Sequence, residues 1–112
     1  MIPDWVKELT VAATVCDING TIIYMNDKSA KTFAKWGGIE LLGKSLFDCH
    51  NPNSVAKIKE LLTNGGTNAY TIEKEGIKKM IYQTPWYESG KVAGLLELSL
   101  EIPFEMPHFV RS

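Results

Sequence analysis

The dipeptide Asn19-Gly20 is the feature that most limits how this chain can fold. It lies between two runs that are rich in β-branched residues, 12–17 and 21–25. Asn and Gly both tolerate the positive φ of a type I′ turn, and that turn matches the twist of two antiparallel strands. The sequence therefore predicts a β-hairpin near the start of the chain.

Helical signals follow this hairpin. Asn26 and Asp27 can each accept hydrogen bonds from the first amides of a helix, and apolar residues then recur at helical spacing as far as Gly37-Gly38. Residues 39–42 add one apolar helical turn, which Gly43 ends.

A longer helix is predicted to begin after Asn51, which acts as its N-cap. Pro52 suits the first helical position because no amide donor is needed there. Residues 64–66, with the letters NGG, end the helix. The predicted buried stripe consists of Val55, Ile58, Leu61 and Leu62.

Three further strands are predicted over residues 68–74, 77–87 and 92–102. Pro85 cannot donate a ladder hydrogen bond, so an edge or a bulge is expected at that point. The last strand alternates most regularly. Its predicted inward residues are Leu96, Leu98, Leu100 and Ile102, and its predicted outward residues are Glu97, Ser99 and Glu101.

The order of elements predicts an α+β fold. Two strands, a run of helices and a three-stranded meander give one five-stranded antiparallel sheet, with the helices packed on a single face. A core that includes Ile22, the helix stripe and the inward leucines of the last strand is expected to hold these layers together.

Three parts are predicted along the chain. Residues 1–11 form a flanking helix capped by Asp4, residues 12–102 form the domain, and residues 103–112 form an irregular tail with two prolines. The apolar stripe of the flanking helix consists of Trp5, Val6 and Leu9. Such a helix must bury this stripe on the domain or on a second copy of it.

Composition excludes several classes of function. The 112 residues suit one domain, and the 12 basic and 13 acidic residues are interspersed, so no nucleic-acid surface is expected. No apolar run approaches the ~20 residues of a membrane span, and the start of the chain lacks the basic region of a signal peptide. Two cysteines without a disulfide pattern fit a reducing compartment. We expect a cytoplasmic protein that contacts no membrane.

Three segments in this order resemble the PAS domain: VCDINGTIIYMN at 15–26, LLGKSL at 41–46 and GKVAGL at 90–95. The likeness covers residues 11–102. The letters CHNPNS at 49–54 also resemble a Cys-His-x-Pro-x-Ser segment found in a subgroup of bacterial PAS domains. The resemblance implies a signalling sensor with a cavity between its helices and the inner sheet face. It also implies a bound small molecule or cofactor in many members, and dimerisation through flanking helices.

Residues 38–45 match the phosphate-loop pattern GxxxxGK[ST] letter for letter. Phosphate binding requires a loop between a buried parallel strand and a helix, with free backbone amides. Here the preceding segment is helical and residues 39–42 form an apolar turn. We therefore predict that this segment does not bind nucleotide.

Cys49 and His50 precede the long helix and allow several interpretations. His50 could ligate haem iron or another metal, and the helix N-terminus could make Cys49 a reactive thiolate. The favoured interpretation is structural, because no third ligand is evident: His50 bonds locally, with Asp48 able to orient it, and Cys49 is a small buried residue. A flavin site is disfavoured because this segment departs from the Asn-Cys-Arg-Phe-Leu-Gln run of light-sensing PAS domains.

The sequence therefore predicts a sensory or interaction module of signal transduction, without catalytic activity of its own. Its ligand is not identified, and the alternative is a haem- or metal-binding sensor centred on His50. An enzyme with Cys49 as nucleophile is least favoured. We expect a homodimer that forms through the N-terminal helix or the outer sheet face and contacts a signalling partner. The candidate pocket residues are Met25, Phe47, Cys49, His50, Met80, Tyr82 and Trp86.

Overall fold

The chain runs through a hairpin, a series of short helical turns, one long helix and three more strands. The computed structural model describes residues 4–112, and the side chains of all of these except Cys49. The strands are β1 (Ala12–Asp17), β2 (Ile22–Met25), β3 (Asn68–Lys74), β4 (Ile77–Glu88) and β5 (Lys91–Ile102). The α-helices are α1 (Asp27–Thr32) and α2 (Pro52–Asn64), and 3-10 turns cover Ala34–Trp36, Gly38–Leu41 and Leu46–Cys49.

All five strands form one antiparallel sheet in the order β2-β1-β5-β4-β3. The hairpin joins the meander because β1 pairs with β5, from Ala12 opposite Ser99 to Asp17 opposite Gly94. The predicted α+β fold is confirmed. Pro85 lies beyond the last β3–β4 pair, Asn68 with Gln83, where β4 has a neighbour on one side only, so the predicted edge position is present.

The β1–β2 hairpin is present, but its turn is not type I′. Gly20 takes a φ of +82°, whereas Asn19 is not among the residues with positive φ. The Asp17 carboxylate accepts hydrogen bonds from the Asn19 amide at 2.9 Å and the Thr21 amide at 3.0 Å. A side chain that precedes the Asn-Gly pair thus selects the turn, which propensities for the pair alone do not reveal.

The inward and outward faces of β5 are the reverse of the prediction. Glu97 and Ser99 face the helices, whereas Leu96 and Leu98 lie on the outer face, each half-buried. Leu100 follows them on that outer face. A strand pattern fixes the period of two but not which set of residues points inward, and a shift of one residue exchanges the faces.

The hydrophobic core lies between α2, the 3-10 turns and the β2 side of the sheet. Ile58 on α2 is fully buried, and of the other predicted core residues Ile22 and Leu61 are also buried while Val55 is half-buried. The core cluster consists of Cys16, Ile22, Met25, Leu41, Leu46, Ile58, Leu61, Leu62 and Leu95.

The segment before β1 forms turns where a helix was predicted. Within residues 4–10 the Asp4 carboxylate accepts hydrogen bonds from the Val6 amide at 3.1 Å and the Lys7 amide at 3.0 Å, as a capping residue does, but no helix follows. Residues 1–3 of that prediction lie outside the described residues. Residues 103–112 contain neither helix nor strand. Among the described residues, no helix is both long and apolar enough to cross a membrane.

Candidate functional site

A cavity of about 190 Å³ lies between the inner face of the sheet and the helical turns that cover it. Its sheet wall comes from β1, β3, β4 and β5, and its other wall comes from the end of α1, the turn that follows and the residue before Asn51. The lining residues are Ala12, Thr14, Thr32, Phe33, Trp36, His50, Ile72, Lys74, Lys79, Ile81, Glu97 and Ser99.

A row of polar side chains crosses the inner face of the sheet, and two of its members, Thr14 and Glu97, line this cavity. The register places Asn68 opposite Gln83, Gln83 opposite Glu97 and Glu97 opposite Thr14. The side-chain nitrogen Nδ2 of Asn68 donates to Gln83 Oε1 at 3.0 Å, and Gln83 Nε2 donates to Glu97 Oε2 at 2.8 Å. Since Gln83 and Glu97 are buried, with 2% and 8% of their surfaces exposed, these bonds satisfy polar groups that burial would otherwise destabilise.

His50 approaches the same carboxylate from the helical side. Its Nδ1 lies 2.9 Å from the Leu46 carbonyl oxygen, and its Nε2 lies 3.6 Å from Glu97 Oε2. The carbonyl can only accept, so Nδ1 donates, and a proton on Nε2 is then needed for attraction to Glu97. Asp48, which was predicted to be able to orient this ring, is exposed and makes neither contact.

The pKa of His50 lies above its usual value of 6.5. Burial lowers this pKa, but the hydrogen bond and negative charge of Glu97, together with the Leu46 carbonyl, raise it by more. Each ring nitrogen of His50 thus has a protein partner. The pair His50–Glu97 links the N-terminal end of α2 to the centre of the sheet.

A second buried network holds α1 on the sheet. The Asn26 side chain accepts hydrogen bonds from the amides of Ala13 and Ser29, both at 2.9 Å, and donates to the carbonyls of Val6 and Val11, both at 2.8 Å. The Thr14 and Ser29 hydroxyls bond to each other. The sequence identified Asn26 only as a helix cap; in the structure it also fixes the position of the wall that α1 contributes to the cavity.

Three predicted pocket residues do not line the cavity. Met80, Tyr82 and Trp86 lie on the outer face of β4, because the inner face presents Ile81 and Gln83 and residues alternate along a strand. Trp86 donates to the Cys16 carbonyl at 3.0 Å across Gly94, where a Cβ atom would overlap both that oxygen and the indole nitrogen. This tryptophan is a structural residue of the outer face.

The remaining predicted residues have different positions. His50 lines the cavity, whereas Met25 is buried in the core and Phe47 packs over Gly20 at the hairpin turn. The Cys49 side chain lies outside the described residues. Of the seven predicted pocket residues, His50 is therefore the one that the described structure places in the cavity.

The phosphate-loop match has no free cradle of amides. The amide of Gly43 donates to the Ile22 carbonyl at 2.8 Å, that of Lys44 to Leu41 at 2.9 Å and that of Leu46 to Gly20 at 2.7 Å. The bonds of Gly43 and Leu46 attach this part of the chain to the hairpin and that of Lys44 closes a turn, so a phosphate would have to compete with them. This geometry supports the prediction of no nucleotide binding here.

Sequence reasoning missed Glu97, Gln83, Thr14 and Ser99. One signal was present: Glu97 stands at the middle of a strand with leucines at 95, 96, 98 and 100, which is an unusual place for a carboxylate. Among the described side chains there is no group of three His, Cys, Asp or Glu that could hold a metal ion.

Comparison with known proteins identifies a family model and several solved structures that this chain resembles. A protein-family model described as "PAS fold" matches residues 6–65, and no curated protein sequence matches the chain. The structure of VqmA bound to DPO has a TM-score of 0.66 and 17% identity, over 88% of this chain and 54% of that chain; VqmA comes from Vibrio cholerae.

Two further solved structures are similar over nearly their whole length. The PAS domain of the histidine kinase ThkA has a TM-score of 0.66 and 15% identity, over 80% of this chain and 96% of that chain. The Aer2 receptor from Vibrio cholerae, described as a dual PAS-heme oxygen sensor, has a TM-score of 0.62 and 13% identity, over 84% and 96%. At these identities the likeness concerns the fold.

Proposed function

This chain belongs to the PAS fold family, whose structural relatives include sensor modules of signalling proteins, and we propose that it senses a small molecule bound in the cavity above Glu97. The module acts by binding and has no catalytic activity of its own. Cytoplasmic location and a bacterial signalling partner belong to the same proposal. The residues that bind the ligand are Thr14, Phe33, His50, Glu97 and Ser99.

The observation that carries this proposal is the polar floor of an otherwise apolar interior. A buried carboxylate costs several kcal/mol of solvation unless other groups compensate it, so a purely structural core would favour Leu or Ile at position 97. Here Glu97 borders an open cavity in addition to its contacts with Gln83 and His50. Ligand pockets characteristically combine apolar walls with a few convergent polar groups.

The experiment compares two substitutions of similar size on opposite faces of the sheet. Ser99→Leu fills the cavity from β5, whereas Thr84→Leu adds similar bulk on the outer face of β4. Native mass spectrometry of the purified protein should show a co-purifying small molecule in the wild type and in Thr84→Leu, and none in folded Ser99→Leu. Retention of the molecule by Ser99→Leu would overturn the cavity assignment.

The haem- or metal-binding alternative has less support from the geometry. Iron ligation by His50 would require Nε2 to leave Glu97 or Nδ1 to leave the Leu46 carbonyl. The cavity of about 190 Å³ is also smaller than the ~300 Å³ at which pockets for drug-sized ligands begin. We expect no Soret band when haemin is added. A defined Soret maximum that His50→Gln abolishes would favour the alternative.

Homodimerisation through the outer face completes the proposal. An apolar groove there lies between the segment before β1 and the sheet, and its apolar lining residues are Val6, Leu9, Ala13, Val15, Leu96 and Leu98. Since the segment forms turns, it covers these residues only in part. Deletion of residues 1–10 should change the sedimentation coefficient from that of a dimer to that of a monomer. An unchanged dimer would place the interface elsewhere.

A further inference from the structure

We propose that the ligand of this cavity is a small zwitterion, with its ammonium group at Glu97 and its acidic group directed toward Lys79. The inference rests on the proposed sensor function and names the chemical class that the cavity recognises. Free amino acids and other short molecules with one amine and one acid group belong to this class.

The carboxylate of Glu97 has one oxygen left for a ligand. Gln83 and His50 both approach Oε2, at 2.8 Å and 3.6 Å. None of the described side chains bonds to Oε1. Every fully buried side-chain oxygen in the described structure has a hydrogen-bond partner, so an oxygen without one is not fully buried. Oε1 is therefore accessible, and the space next to this 8% exposed residue is the cavity. An ammonium group is the donor that such an oxygen binds most strongly.

The aromatic side chains of the opposite wall suit the same group. Phe33 and Trp36 both line the cavity, with their ring centroids 6.4 Å apart in an edge-to-face arrangement. Aromatic faces attract an alkylammonium group most where water is excluded. Trp36 is 50% exposed and Lys35 Nζ already lies 5.3 Å from its ring centroid, so Phe33, which is half-buried, is the ring better suited to a bound amine.

The lysines at the other end of the cavity argue against a simple cation. Lys79 is half-buried and Lys74 exposed, both line the cavity, and neither takes part in an ion pair within the described residues. Glu101 lies opposite Lys79 on β5 but is exposed and does not line the cavity. With two lysines, one glutamate and the titratable His50, the lining is net positive at neutral pH, so a bound amine needs an acidic group of its own.

The size of the cavity limits the ligand to a small molecule. Its volume of about 190 Å³ equals that of roughly six water molecules in the liquid. Ser99 lies between Glu97 and the row that contains Lys79, so its hydroxyl group is available to a polar ligand that spans the two charges.

The test uses matched probes on the intact chain. Isothermal titration calorimetry would compare free α-, β- and γ-amino acids with the alkylamines that lack their acid group and the carboxylic acids that lack their amine. At least one amino acid should bind, and loss of either charged group should weaken binding roughly tenfold to a hundredfold, the effect of one lost hydrogen bond to a charged group.

Variants assign each end of the ligand. Glu97→Gln should remove the preference for the amino acid over the carboxylic acid, and Lys79→Gln should remove its preference over the alkylamine. Lys91→Gln, at the exposed start of β5 and outside the cavity, is the matched control and should bind as the wild type does. If Glu97→Gln does not fold, the probe series on the wild type decides alone.

Two failures can be told apart. Binding of an uncharged or singly charged molecule in the cavity, lost in Ser99→Leu, would overturn the zwitterion and leave the sensor function standing. Absence of any co-purifying molecule together with no binding in the whole probe series would overturn both.

Discussion

The inner and outer faces of the sheet differ in the side chains that their central strands carry. On the inner face the central strands present Gln83, Glu97 and Thr14 to the helices, and all are buried. On the outer face the same strands present Leu96 and Leu98, which are only half-buried. A buried polar row thus lies beside the apolar core on the inner face, whereas apolar side chains remain partly exposed on the outer face.

The proposed ligand site and the proposed dimer contact give a physical reason for this difference. An antiparallel sheet with one covered face usually places its apolar residues under the helices. A polar inner face stabilises the fold less than leucines there would, but it can recognise a ligand. An apolar outer face, conversely, favours contact with the chain's own first segment or with a second copy.

The largest expected effect on stability is at Gly94, where the Trp86 side chain of the outer face crosses the backbone to reach the Cys16 carbonyl. Gly94→Ala places a methyl group against the Cys16 carbonyl and the Trp86 indole, so we expect a loss of about 3 kcal/mol or more of unfolding free energy, because overpacking against backbone cannot relax. Urea denaturation followed by circular dichroism measures it. The double variant with Trp86→Ala should stay destabilised, since the carbonyl clash remains; full rescue would show that the indole alone causes it.

A smaller effect should separate the two faces directly. Ile58→Ala removes a fully buried core side chain and should cost about 2–5 kcal/mol, whereas Leu98→Ala on the outer face should cost about 1 kcal/mol in the monomer. Denaturation at low protein concentration compares them. If Leu98→Ala were as costly as Ile58→Ala, the sheet would face the opposite way or the outer face would be covered by another surface.

The pair His50–Glu97 should make stability depend on pH. Because the pKa of His50 is raised above 6.5 in the folded state, the protein binds a proton more tightly folded than unfolded. The stabilisation is complete below the unfolded pKa, and it is lost as the pH rises through the folded pKa.

Unfolding free energies from about pH 5 to pH 8, the range in which histidine titrates, should therefore show a decline in the wild type that His50→Gln lacks. His108→Gln, in the exposed tail, is the control and should keep the decline. A His50→Gln profile parallel to that of the wild type would contradict the role of the pair.

The smallest effect on stability is expected in residues 38–45, the phosphate-loop match, which belong to neither face of the sheet. Lys44 is exposed and its amide bonds to the Leu41 carbonyl. Calorimetric titration with ATP and Mg²⁺ should give no heat, and Lys44→Ala should change stability by less than about 0.5 kcal/mol, as a surface substitution does. Saturable heat that Lys44→Ala abolishes would show that this segment binds phosphate.

The sequence was informative where local chemistry decides the structure. Asn51 and Pro52 define the start of α2. The Asn51 side chain accepts a hydrogen bond from the Ser54 amide at 2.9 Å, as an N-cap should. The hairpin, though not its turn type, and the order of elements along the chain were likewise predictable, because turn residues and periodicity depend on neighbours in the chain.

The sequence was uninformative where the structure depends on contacts between residues of different strands. Which side of β5 faces the helices depends on Gln83, Thr14 and His50, which meet Glu97 only in the folded chain. A rule that places leucines inward chooses the wrong side, and with it the wrong residues of β4 for the pocket. Of the candidate site, His50 was identified from its place before α2; its partner was not.

The most direct test of the account is methyl NMR of the protein with and without the small molecule recovered from it. Ile72 and Ile81 line the cavity, whereas Leu96 and Leu98 line the groove on the outer face. The account predicts that ligand addition shifts the δ1 methyl signals of both isoleucines and leaves the two leucines in place. Shifts confined to Leu96 and Leu98 would show that the ligand binds the outer face and would contradict the account.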